Sequence, residues 1–245
     1  MKLRTTLASS ALALSLAFQA QAADVPEGVN LAEDQSYTFW LLDAIKSMDP
    51  QINTDVEGSD VLRNLFEGLY NEDGNGELVP GVALDHEVSE DGKTYTFKLR
   101  EGVVFHDGEP FTSEDVEFSM DKFLRESHSR MRTYMEHVES IETPDDHTVV
   151  FNLKQPFGPF IGIFEPGTAP MIPKHIYEGT DFANNEANNT PIGTGPFKFD
   201  KWEKGSFIHL VKNEDYYMEG KPYVDEVYYH VIPDAASRAV AYETG

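Results

Sequence analysis

The sequence predicts a mixed α/β fold on three observations. Runs of strict two-residue alternation mark half-buried strands: Tyr95, Phe97 and Leu99 point one way while Thr94, Thr96 and Lys98 point the other. Tight-turn pairs bound these runs. Asp91-Gly92 is one, since glycine accepts the positive φ of such a turn and aspartate can bond its own backbone. Helix-opening signals stand between the strands. Thr112-x-x-Asp115 is a capping box ahead of an apolar face made by Val116, Met120, Phe123 and Leu124.

In chain order, Met1 to Ala22 reads as a cleaved export signal. Lys2 and Arg4 make its positive start, Leu7 to Phe18 an apolar stretch too short to span a bilayer, and Ala20-Gln21-Ala22 a cleavage site. No cysteine follows, so lipid anchoring at that point is excluded. Tyr37 to Leu42 is a short apolar strand, and the polar run from Met48-Asp49-Pro50 to Gly58 an ordered loop. Ser59 is placed to cap a helix with Val61, Leu62, Leu65, Phe66 and Leu69 on one face. Asn71 to Gly76 is a turn, and Leu78-Val79 and Val82 to Val88 are strands.

After Leu99, Glu101-Gly102 turns the chain into a short strand, Val103 to Phe105, and the run from His106 to Pro110 turns it again. Arg130 to His137 extends or follows the capped helix. Val138 to Glu142 and Thr148 to Leu153 form a hairpin across Pro144-Asp145-Asp146. Pro156 to Pro170, dense in Pro, Gly and Phe, is a surface crossing over buried aromatics. Ile172 to Tyr177 holds a short helix with Pro173 in its first turn, and Asp181 to Thr190 is a polar loop. Phe197 to Trp202 and Phe207 to Lys212 make a hairpin around Lys204-Gly205. Tyr223 to Ile232 is a strand, and Asp234 caps a last helix bearing Arg238.

Composition narrows the class. Of 245 residues, 40% are hydrophobic and 12% aromatic, which fits a packed globular chain, and with no cysteine burial alone must hold it. Asp and Glu number 43 against 19 Lys and Arg, a net charge of −24 that repels nucleic acid and anionic membrane. The 8 histidines are scattered without HExxH or paired spacing, so no metal site is expected. No Gly-x-Ser-x-Gly elbow is present, and His106-Asp107 reads better as part of a turn than as a catalytic pair. The glycines of Pro191-Ile192-Gly193-Thr194-Gly195-Pro196-Phe197 do not make a phosphate loop, because no Gly-Lys-Ser/Thr closes it and a strand follows.

Ser89 to Val116, led by Pro80-Gly81-Val82-Ala83, resembles the family 5 extracellular solute-binding proteins, the dipeptide, oligopeptide and nickel receptors of ABC importers. The family's wording, S-x-DG-K-x-Y-x-F-x-LR-x-G-V-x-F-HDG-x-P-F-T-A-x-DV, is matched without a gap. Ser113 stands where alanine is usual, and Asp85-His86 where a serine-tryptophan pair is common. The PIGTGPF wording and the closing Ile-Pro-Asp with its arginine-bearing helix are similar to the family's as well.

The resemblance implies a periplasmic-binding-protein-like α/β fold (type II, of the large cluster with an extra subdomain), here the first lobe only, with the second lobe missing. Residues 23–59 and 171–245 would form the core of that lobe and residues 60–170 an inserted subdomain. It implies a non-enzymatic, cofactor-free periplasmic protein of a Gram-negative cell, not embedded in the membrane. Such a protein captures a short peptide for an inner-membrane ABC permease and its ATPase. Nickel or another metal complex is the alternative cargo on the same fold, and an exported hydrolase a distant one. By position in the family, Thr54, Tyr134, Gly193, Thr194 and Gly195 are the candidate ligand residues, the glycines because backbone N–H groups free of a Cβ can approach a solute. The acidic residue that holds a peptide's amino terminus in such receptors would lie on the second lobe.

Overall fold

A computed structural model describes residues 35–52 and 55–244. The expected export signal and Thr54 lie outside the described residues.

Two four-stranded sheets organise the chain. The first is assembled from its two ends: β1 (Ser36–Leu41), β8 (Phe197–Glu203), β9 (Phe207–Lys212) and β10 (Glu226–Val231), in the order β1-β10-β9-β8. β1 runs parallel to β10 with Phe39 opposite Tyr229, and the other pairs are antiparallel. The second sheet comes from the middle of the chain: β4 (Ala83–Val88), β5 (Thr94–Leu99), β6 (Val138–Asp145) and β7 (Thr148–Leu153), all antiparallel in the order β4-β5-β7-β6. β2 (Tyr70–Glu72) and β3 (Leu78–Pro80) form a small ribbon before it.

The alternation along β5 is realised as read. Tyr95, Phe97 and Leu99 are buried and Lys98 is exposed. Phe97 meets Phe151 and Phe164 edge-on at 5.5 and 5.1 Å, within the favoured range for aromatic pairs. His86 occupies the place where the family often has tryptophan. It stacks on Phe97 at 5.6 Å, and its Nδ1 lies 2.6 Å from the Tyr70 hydroxyl, so an aromatic contact is kept and a polar one added. Asp91-Gly92 makes the expected turn, with Gly92 at φ +67°.

The helices differ from the reading in their ends. α1 spans Val56–Leu65, three residues ahead of Ser59, because Asp55 is the cap: its Oδ1 accepts from the Gly58 N–H at 2.7 Å. The Ser59 hydroxyl bonds back to the Asp55 carbonyl instead. Phe66 already has extended backbone, so Phe66 and Leu69 are buried from the segment after the helix, not from its face.

Val103 to Phe105 is not a full strand. A single bridge joins Val104 to Pro110, flanked by Phe105 N–H to Glu109 O and Phe111 N–H to Val103 O, and the turn closed by Gly108 N–H to Phe105 O ends the pairing on that side. β6 continues through Pro144 and Asp145, which moves the turn to Asp146-His147.

The capping box holds. The Thr112 N–H donates to Asp115 Oδ2 at 2.9 Å and opens α2 (Ser113–Glu117). The helix continues as a π-helical stretch, Phe118–Leu124, into α3 (Arg125–Ser127), and α4 (Ser129–Met135) follows after His128. Val116, Met120, Phe123 and Leu124 are all buried, as their spacing predicts. The crossing at 156–170 is a 3₁₀ turn, Gly158–Phe164, that buries Phe160 and Phe164. α5 is Lys174–Tyr177, with Pro173 at its cap instead of inside it. Short 3₁₀ turns fill the polar loop at Phe182–Asn184 and Glu186–Asn188, and α6 is Ala235–Thr244. Among the described residues no helix is long and apolar enough to cross a membrane.

Replacing Phe97 with alanine is expected to lower stability by about 3–5 kcal/mol, the range for removing a buried aromatic ring. Lys98→Ala is expected to stay within about 0.5 kcal/mol. Urea unfolding of the two variants measures the difference, and equal losses would show the face of β5 to be wrongly assigned.

Candidate functional site

Three constructions stand out, two of them holding residues the sequence named. The first is the crossing 191–196. It passes the end of α1 so closely that a Cβ on Gly193 would lie 2.1 Å from the Leu65 carbonyl oxygen, and one on Gly195 2.6 Å from the Asn64 carbonyl oxygen. Glycine is required here by space against backbone, which cannot yield as a flexible side-chain tip could.

Both amides are spent internally. The Gly195 N–H donates to Leu65 O at 3.0 Å, and the Gly193 N–H to His106 Nδ1 at 3.2 Å. In this conformation the amides expected to meet a solute are engaged inside the protein. Glycine is needed at both positions because α1 is near, and in this conformation the donors point into the protein. Thr194 is 1% exposed, and its hydroxyl has no partner among the described atoms.

His106 is the second part of this construction. Its Nδ1 accepts from Gly193, so Nε2 carries the proton and donates to Gly195 O at 3.1 Å, while its own N–H donates to Gly193 O at 2.9 Å. The turn at 106–110 is thus bound to the crossing through both backbone and ring. Burial pushes the imidazole down to about 4, with the Gly195 carbonyl opposing and the Lys198 ammonium adding to the shift, so the ring is neutral. Asn213 completes the joint, donating from Nδ2 to Gly195 O at 2.9 Å.

Glu67, just beyond α1, is a second buried node. Its carboxylate accepts from the Tyr216 hydroxyl at 2.5 Å, the Tyr217 hydroxyl at 3.0 Å and the Asn71 side-chain amide. Burial raises its pKa against the pull of these donors and of Arg100, whose guanidinium sits 5.1 Å over the Tyr217 ring. Both tyrosines are pushed up, by burial first and by the neighbouring Glu67 carboxylate second. Nothing in the periodicity marks position 67 as buried and acidic. Only the fold brings Tyr216 and Tyr217 back to it.

The third construction is an open groove of about 420 Å³ lined by Tyr134, Gly158, Pro159, Gly162, Ile163 and Thr168. Tyr134, near the end of α4, is half-buried and lies 6.3 Å from the Phe157 ring, which itself stacks on His137 at 4.2 Å. Nothing lies within 4 Å of where a Cβ would sit on Gly158 or Gly162, so an incoming molecule can approach the backbone there. The groove offers one aromatic face, the hydroxyl-bearing residues Tyr134 and Thr168, and bare backbone, which suits binding and supplies no nucleophile–base pair. Of the candidates among the described residues only Tyr134 lines it, and Gly193, Thr194 and Gly195 do not. Its other walls come from the Pro- and Gly-rich crossing at 156–170, whose glycines were the signal that could have marked it. Among the described residues, no group of three or more His, Cys, Asp or Glu side chains is placed to hold a metal ion.

Known proteins share this fold. The model of the bacterial extracellular solute-binding proteins, family 5 (middle), matches residues 77–245, and the chain belongs to that family. It is 36% identical over 199 residues to the oligopeptide-binding protein AppA of Bacillus subtilis, covering 79% of this chain and 36% of AppA. It is 30% identical over 237 residues to the glutathione-binding protein GsiB of Escherichia coli K12, covering 96% of this chain and 44% of GsiB. The structure of the periplasmic binding protein AgaA from A. tumefaciens R10, in complex with agropinic acid, superposes with a TM-score of 0.79 at 33% identity, over 86% of this chain and 42% of AgaA. The chain therefore spans less than half the length of each of these relatives.

Gly193→Ala is expected to cost at least the ~1–3 kcal/mol typical of overpacking, because its new Cβ meets backbone. The neutral His106 sets an acid limit. Its folded pKa lies below the ordinary 6.5, so its contribution is intact above pH 6.5 and is lost as pH falls towards about 4. The size is about 3 kcal/mol at one ionisable group. Thermal unfolding between pH 7 and 4 is expected to show this loss in the wild type and a shallower slope in His106→Gln. Parallel slopes would place the acid sensitivity elsewhere.

Proposed function

We propose that this chain is part of the solute-capturing component of an ABC importer, that its solutes are short peptides, and that the Tyr134 groove is one wall of the site. The observation that carries this reading is the groove itself: a half-buried aromatic facing open glycine backbone, in a chain of the solute-binding family. An aromatic face takes apolar side chains, and bare backbone can pair with a peptide's own. The names of AppA and GsiB, for oligopeptides and for glutathione, support a peptide cargo over a metal complex.

In this reading Tyr134 touches the solute, and Thr54 contributes from the loop before α1. Gly193, Thr194 and Gly195 border the cleft from the crossing into β8. The protein works in the periplasm of a Gram-negative cell and delivers to an inner-membrane permease and its ATPase. It performs no chemistry of its own.

Calorimetry with a dipeptide and tripeptide library tests the proposal. One open wall cannot enclose most of a ligand, as tight small-molecule sites do. Micromolar affinity requires about −8 kcal/mol. The 245-residue chain is therefore expected to bind more weakly than micromolar, and a chain extended to the length of its relatives to reach micromolar or better. In the extended protein Tyr134→Ala is expected to weaken binding about tenfold or more, in line with loss of an aromatic contact. No binding by the extended protein, or peptide turnover by it, would overturn the reading.

A further inference from the structure

Tyr134 is carried by a seven-residue helix, too short to hold itself in water. Beside the burial of Met131 and Met135, a pair of cations from two other elements engages the end of α4 that bears Tyr134. Arg125 donates from Nη2 to Met135 O at 3.2 Å, and Lys154 donates from Nζ to Glu136 O at 2.7 Å. These are the last residue of α4 and its C-cap, where the helix leaves carbonyls unsatisfied and concentrates negative partial charge. The arrangement is reciprocal: Arg132 of α4 returns to the end of α3, donating to Arg125 O at 3.4 Å and Glu126 O at 2.7 Å.

Arg125 is itself set by the π-helical stretch before it. Its N–H donates to Met120 O, five residues back, and its Nη1 lies 3.0 Å from Asp121 Oδ1. Lys154 is fixed from the other side by its own N–H, which donates to His137 O at 2.9 Å just beyond the helix. Two cations, from the start of α3 and from the residue after β7, thus converge on the carbonyls one and two residues after Tyr134.

We propose that Arg125 and Lys154 are positioning residues for Tyr134, fixing where the aromatic wall of the groove stands. Neither lines the groove. Both act through the C-terminal carbonyls of α4, and losing either lets the last turn fray and the ring drift from Gly158 and Gly162. The functional weight of this inference rests on the reading of the groove as a solute wall, but the position of the ring can be measured without any solute.

The test is fluorine NMR of the protein labelled with 3-fluorotyrosine, the Tyr134 signal being identified by its loss in Tyr134→Phe. Arg125→Met and Lys154→Met are each expected to shift or broaden that signal and to speed amide exchange across residues 129–137 several-fold. Lys154→Arg, which keeps a donor and a charge, is expected to restore both. Lys201→Met, which removes an exposed cation of β8 in the other sheet, serves as the control and is expected to leave the signal in place. If Arg125→Met does not fold, Arg125→Lys reports the same site with the charge kept and the fork removed. A lowered thermal midpoint with an unmoved Tyr134 signal would overturn the inference, as would failure of Lys154→Arg to restore it. Absence of peptide binding by the extended wild type would count against the proposed function and leave this measurement standing.

Discussion

The end of α1 and the crossing at 191–196 share a space that admits no side chain, and much of the architecture follows from that approach. The Leu65 carbonyl receives the Gly195 amide, and the neutral ring of His106 bridges the two glycines as acceptor on one side and donor on the other. Because His106 belongs to the connection between β5 and β6 of the second sheet, and Gly195 leads into β8, this one joint ties that connection to the first sheet. Its chemistry works only while the ring is uncharged: a protonated imidazole would present two donors, one of them against the Gly193 N–H. A polar joint of this kind fixes geometry more sharply than apolar packing, at the cost of a defined pH window.

Much of the fold was legible in the sequence, because burial writes itself as periodicity. β5 and β7 alternate cleanly, the Thr112 box opens a helix, and both sheets contain the strands their patterns predicted. The misses have physical causes. Asp55 outcompetes Ser59 as the cap of α1 because its carboxylate reaches the Gly58 amide. The run Val103 to Phe105 makes a single bridge because the turn closed by Gly108 N–H to Phe105 O follows it at once. The site was less legible. Position in the family led to Tyr134, but the groove's other walls are small residues of an irregular crossing, which carry no period. The amides of Gly193 and Gly195 could not be known from the sequence to be occupied, since their partners Leu65 and His106 lie far away along the chain.

Charge is handled differently inside and out. The large acid excess is mostly on the surface, whereas the buried acids are few and each is provided for. Glu67 has two phenols and an amide, Asp115 has the Thr112 and Lys174 N–H groups, and Glu165 has Arg63 at 3.1 Å and the Gly167 N–H at 2.8 Å. Leaving such a group without donors is more damaging than never burying it, so these residues specify the arrangement more than they stabilise it.

The parallel pairing of β1 with β10 has a consequence for the order in which the molecule can form. The second sheet closes from neighbouring hairpins and can assemble early, whereas β1 has no partner until nearly the whole described chain has been made. A chain built this way has a late, long-range closing step, slow by the entropy of joining distant ends. Until that step, Tyr37 and Phe39, still 53% and 44% exposed in the folded chain, remain open to chaperones and to other chains.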